Sequence, residues 1–234
     1  MSRPGAAQET SPKKWTAQKS TYALMVLFSV VNLALTIYQF VQGNNDLALR
    51  GVLFPLFLLI PWVFRRVGLQ HCWRLYTAVY LFSLFAYSYG CVYGGFKDSQ
   101  VMDKVSHFFS GFLFAIVGFC LFYWQAGPQR ALRAPTALAA GYGLFFSAFV
   151  AVAWEIVEYF DFMFTGNDSQ NHLTTGVFDT MHDIMACMAA SVLSAAAFVL
   201  WRKKGVKLLS GWVVEEFVEK NLPAPGSAPQ EKPS

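Results

Sequence analysis

From Thr136 to Phe164 the sequence is apolar except toward one end, where Glu155, Glu158 and Asp161 follow one another at three-residue intervals. The stretch exceeds the roughly 20 residues a helix needs to cross a bilayer, so it must tilt or let its acidic end emerge at the interface. In a soluble helix the three carboxylates would form a stripe facing water. Here at least Glu155 falls below the lipid surface, where a charge costs about 3 kcal/mol and is usually paired or functional. What the other segments bring to it decides how the chain is read.

Composition supports the membrane setting. With 55% hydrophobic and 14% charged residues, the chain lacks the charged surface that a soluble core of this size requires. The net charge of +4 is explained by a bias among loops rather than by nucleic acid. Cys72, Cys91, Cys120 and Cys187 have no CxxC spacing and lie in or beside apolar runs, so they read as small packing residues without a disulfide.

Residues 1–20 form a polar, basic tail, followed by a first span from Thr21 to Val41. This run is longer than a signal-peptide core, and no small-residue cleavage site follows it. The second span, Leu47 to Phe64, is interrupted by Arg50, Pro55 and Pro61, and membrane helices accept such prolines when neighbours satisfy the freed carbonyls. The third, Leu75 to Phe96, carries Gly90, Gly94 and Gly95 near its far end. Lys104 to Trp124, Thr136 to Phe164 and Phe178 to Trp201 complete the set. Residues 205–221 then suggest an amphipathic interfacial helix, with Leu209, Trp212, Val213 and Phe217 opposite Glu215, Glu216 and Glu219. Residues 222–234 read as a disordered tail.

The fold class expected is therefore all-α: a polytopic six-span helical bundle, residues 21–201, with a short C-terminal amphipathic helix. Placing both termini in the cytoplasm leaves only Arg50, Lys97 and Lys104, of 18 lysines and arginines, on the outer side. The positive-inside rule favours that orientation.

In that topology Asp103, Lys104 and His107 open the fourth span at its outer end. Glu155, Glu158 and Asp161 close the fifth, and Asp179, His182 and Asp183 open the sixth, all at the same face. At about 1.5 Å rise per residue, His107 and Asp183 lie about 6 Å deeper than Asp103 and Asp179, and Glu155 about 9 Å deeper than Asp161. Spacings of three and four put each set on one helix face. Carboxylates and imidazoles on facing helices are how bundles hold zinc, manganese or iron, which makes Asp103, His107, Glu155, Glu158, Asp179 and Asp183 candidate metal ligands. Glu155 and His107 are also candidate acid–base groups, and Lys104 a candidate partner for a substrate phosphate or an interfacial anchor. There is no GxxxxGK[ST] loop, no GxSxG elbow and no HExxH.

Asp103-Lys104-x-x-His107-Phe108 with Gly111, then Glu155 and Glu158, then Asp179-Thr180-x-x-Asp183, resembles the YjdF-like bacterial inner-membrane proteins over roughly Thr21 to Trp201. More distantly the chain is similar to VanZ-like membrane proteins, without their Pro-Gly-Arg element. The resemblance implies a bacterial plasma-membrane location and singles out these residues, and it brings no reaction with it. Three functions stay open: a metal-dependent enzyme acting on a lipid or lipid-linked envelope substrate, a proton- or ion-coupled transporter, and a non-catalytic protein whose charges lock helices together. The lipid bilayer is the partner common to all three.

Overall fold

Backbone amides inside a bilayer must be satisfied within their own segment, and the apolar runs meet this requirement as helix. The computed structural model describes residues 12–97 and 99–222. Among them the elements are α1 Pro12–Val41, α2 Asn45–Gly51, α3 Pro55–Leu58, α4 Ile60–Arg66, α5 Trp73–Ser83, a π-helical segment Leu84–Val92, α6 Gln100–Arg133, α7 Thr136–Thr165, α8 His172–Thr175, α9 Phe178–Lys204 and α10 Leu209–Asn221. Six helical stretches of the described residues are long and apolar enough to cross a membrane. The expected tail beyond Leu222 lies outside the described residues. Helix α1 already begins at Pro12, several residues before the first apolar run.

The second span is broken into α2, α3 and α4, with a proline in the first turn of each of the last two. Two tyrosines of the third span hold carbonyls along this broken stretch, one of them the Phe57 carbonyl that Pro61 frees. Tyr80 Oη donates to the Phe57 carbonyl at 2.9 Å and Tyr87 Oη to that of Arg50 at 2.5 Å. The third span also departs from regular α-helix. It widens into π-helix at Leu84 and ends at Val92, short of the expected Phe96. Gln39 Nε2 donates to the Val92 and Tyr93 carbonyls at 3.0 and 3.1 Å, satisfying groups that the widened end leaves open.

Helices α6, α7 and α9 pack through small residues. A Cβ on Gly111 would run into the Cys187 carbonyl, and one on Gly118 would lie 2.7 Å from Gly143 Cα. Ser147 Oγ donates to the Gly111 carbonyl at 2.9 Å, while Phe119 and Phe198 stack at 4.3 Å between centroids. Close backbone approach of this kind is how helices associate where lipid removes most of the hydrophobic drive. All four cysteines are free.

At the opposite, basic end of the bundle, α10 packs Val213, Val214 and Phe217 into the core. Leu209 and Trp212 are half exposed, and the amphipathic pattern differs from expectation at Glu216, which faces inward instead of outward. Glu216 accepts from the amides of Trp73 and Arg74, the orphan donors at the start of α5, at 3.3 and 2.9 Å. Lys220 pairs with it at 2.5 Å and also holds the His71 carbonyl at 2.8 Å.

Candidate functional site

Helices α6 and α9 begin, and α7 ends, at one end of the bundle, which brings their acids together. Ser99 caps α6, its side chain accepting from the Met102 amide. One turn in, the Lys104 ammonium lies among three carboxylates: Asp179 Oδ1 at 2.5 Å, Asp183 Oδ2 at 2.8 Å and Asp103 Oδ2 at 3.5 Å. An ammonium has three donors. All three are spent here, so Lys104 is neither a lipid-surface anchor nor available to an anion without breaking a pair.

The second oxygens of two of those carboxylates point elsewhere. His107 Nε2 stands 3.7 Å from Asp103 Oδ1 and 3.8 Å from Asp183 Oδ1, both beyond hydrogen-bond length. Asp103, His107 and Asp183 can each offer one ligand atom such that the three lie within 4.8 Å of one another. Asp183 is 1% exposed, and its Oδ1 has no hydrogen-bond partner. Glu155 on α7 is 5% exposed, and its Oε1 is likewise buried and without a partner. Its charge interacts electrostatically with those of His107 and Asp183. A buried acceptor left unpaired costs about 1–3 kcal/mol, so two in one cluster need an explanation.

The loop between α7 and α9 completes the surroundings. Gln170 Nε2 donates to the Glu155 carbonyl at 2.9 Å and to its Oε2 at 3.0 Å. Asn171 Nδ2 donates to Asp179 Oδ2 at 2.8 Å. Asn171 adopts φ 49°, the left-handed region that asparagine tolerates better than most residues. Sequence reasoning missed both amides. The available signal was a Gln-Asn pair in the short polar loop joining two acid-bearing helices.

The remaining candidates lie around the cluster rather than in its middle. Glu158 is half-buried and accepts from the Trp154 indole at 3.0 Å. Asp161 pairs with Arg50 at 3.0 Å and with Asn167 at 2.7 Å, tying the second span to α7. His182 is exposed beside Phe178, His172 is exposed in α8, and His71 lies at the basic end.

The donor set suits a divalent ion. Bonds of about 2.1 Å in a tetrahedral site separate donors by about 3.4 Å, and His107 Nε2 already stands 3.7 and 3.8 Å from an oxygen of each aspartate. Asp179 offers less, because Lys104 and Asn171 occupy its two oxygens.

Fold and site together define a multi-pass helical membrane protein with a buried polar cluster at one end of its last three spans. The chain belongs to the DUF2238 family of predicted membrane proteins, matching over residues 22–204, which include every residue of the cluster. No curated protein and no solved structure matches it.

Proposed function

We propose that this protein is a metal-dependent enzyme of the bacterial plasma membrane, with both termini cytoplasmic, acting in the outer leaflet on a lipid or lipid-linked envelope substrate. The observation that carries the reading is the grouping of Asp103, His107 and Asp183, with His107 Nε2 facing an oxygen of each aspartate and Asp183 Oδ1 buried without a hydrogen-bond partner. The bias of Lys and Arg toward the other end of the spans supports the orientation, and the YjdF-like pattern of residues supports the location.

In this reading Asp103, His107 and Asp183 hold zinc, manganese or iron(II). Such an ion would polarise a substrate oxygen or acidify a bound water. Lys104 holds the other oxygen of each aspartate and so fixes the direction of the free one. Glu155 would serve as the acid–base group through Oε1, and Gln170 keeps the carboxylate aimed by holding Oε2. Asp179 anchors Lys104, and Glu158 adds negative charge at the rim.

One contact favours a second reading, in which the charges only lock helices. Lys104 joins α6 to α9 through two carboxylates that are almost fully buried. The transporter reading is disfavoured, since no Asp, Glu, Lys, Arg or His occurs at 108–128, 136–154 or 184–201.

Elemental analysis of protein purified in mild detergent separates the two readings. The enzyme reading expects about one divalent transition ion per chain, or its uptake on addition. His107→Ala and Asp183→Asn should lose it, while Glu155→Gln should keep both ion and fold but lose activity. Wild-type protein that takes up no ion, or variants that bind as much as wild type, would leave helix locking as the function.

A further inference from the structure

The first three spans pack around Phe28, Tyr76 and Tyr80, and the last three with α10 around a larger core that includes Phe119, Phe198 and Val213 and also takes in Cys72 and Leu75 at the start of α5. The two halves are tied at the acidic end by Arg50 and Asp161, and at the basic end by Glu216 under α5. Between these ties runs a groove of about 580 Å³. Leu81 and Phe85 form one wall, Phe109 and Ile116 the other, and Trp212 of α10 the floor. From Arg74 to Phe85 it extends about 16 Å along the third span.

We propose that this groove seats one acyl chain of an anionic phospholipid of the leaflet at the basic end, with the lipid phosphate on Arg74. Among the described residues Arg74 is the single charged one lining the groove, and it lies at the basic mouth. One guanidinium nitrogen donates to the Trp212 carbonyl at 2.9 Å, which fixes the group over the opening. A guanidinium has five donors in a fork that matches phosphate oxygens. The neighbouring carboxylate of Glu216 is turned under α5 and neutralised by Lys220, so it does not oppose an anion there. Leu81, Phe109 and Trp212 remain about half exposed within the concavity, presenting apolar surface from three different elements to the same occupant. A single lipid-facing helix offers no such enclosure. Its charged mouth at Arg74 is at the opposite end of the bundle from the acidic cluster, although the apolar far end reaches Phe109, two residues from His107.

The test uses the full chain in mild non-ionic detergent, titrated separately with phosphatidylglycerol, phosphatidylcholine and inorganic phosphate. Melting temperature and lipid retention by native mass spectrometry are the readouts. Phosphatidylglycerol is expected to raise the wild-type melting temperature by several degrees more than phosphatidylcholine, and phosphate alone to leave it unchanged. Arg74→Gln should abolish that difference, and Arg74→Lys should restore part of it. Because Arg74 also holds α10, a second variant fills the groove and leaves the arginine in place. Ala78, half-buried in the lining, is changed to Phe, and retention of phosphatidylglycerol should fall at least tenfold. Equal shifts from the two lipids, an equal shift from phosphate, or undiminished retention by Ala78→Phe would each overturn the proposal.

Discussion

Asp103 and Asp183, on different helices, divide their carboxylates in the same sense: Oδ2 of each approaches the Lys104 ammonium and Oδ1 of each approaches His107 Nε2. Lys104 therefore acts on the cluster as a fixed internal cation, and the other oxygen of each aspartate is left toward His107.

Removing that cation leaves Asp179 and Asp183 buried without their charge partner. Lys104→Met is expected to destabilise the bundle by about 3–5 kcal/mol in the presence of a chelator. Lys104→Arg should recover part of the loss, and Lys104→Met combined with Asp183→Asn should be more stable than Lys104→Met alone. Unfolding titrations in mixed micelles measure this. A Lys104→Met protein as stable as wild type would remove the ammonium from any structural role.

Gly111 tests the packing that brings α6 to α9. Any side chain there meets the Cys187 carbonyl, which is backbone and cannot rotate away. Gly111→Val should cost more than about 2 kcal/mol and separate Lys104 from Asp183. Loss of bound metal together with a lower melting temperature is the expected signature. Gly141, whose added Cβ would meet only a Phe145 ring atom at 3.8 Å, should accept alanine with little effect.

Orientation is tested by single cysteines in a background lacking the native four. Thr174 is exposed in α8 and Gln129 is exposed near the end of α6. A membrane-impermeant thiol reagent should label Thr174→Cys in intact cells and Gln129→Cys only after permeabilisation. Gln170 is a poor choice, because its amide holds Glu155. The reverse labelling pattern would place the acidic cluster on the cytoplasmic side.

At the basic end, His71 gives a pH dependence with a definite sign. Burial, then Arg65 and Lys220, hold its pKa below the usual 6.5. The unfolded chain therefore takes up a proton before the folded one does. Its contribution is complete above pH 6.5 and is lost as the pH falls from there toward the folded value. Melting temperature should decline over that window more steeply in wild type than in His71→Gln. The adjacent Cys72 thiol is pushed up to about 12 by burial and then by Glu216, so it should resist alkylation at neutral pH while the protein is folded.

The spans were legible because length and apolarity decide them, and the shared face of Asp103, His107, Glu155, Asp179 and Asp183 followed from helical spacing and alternating direction. The pairings within that face were not legible. Depth alone treats Asp161 and Asp179 alike, yet Arg50 takes the first and Lys104 the second. That difference depends on how α2 and α6 pack against α7 and α9, which no local pattern encodes. The π-helical stretch after Ser83 was equally hidden. Its widening is balanced by Gln39, which lies more than forty residues earlier in the chain. Glu216 was misplaced for a related reason. Periodicity assigns a glutamate on an amphipathic helix to water, whereas the amides at the start of α5 offer it something better.

The seat of α10 has a consequence for how the molecule is made. Its contacts come from α5, α6 and α9, elements far apart in sequence, and Glu216 reaches back to amides that left the ribosome more than a hundred residues earlier. Until the sixth span is in place, the landing surface for α10 is incomplete and the first turn of α5 is uncapped. Docking of this helix is thus a late event in biogenesis, and a chain stalled before its last span would display an open α5 terminus, a ready mark by which quality control could tell unfinished copies from finished ones.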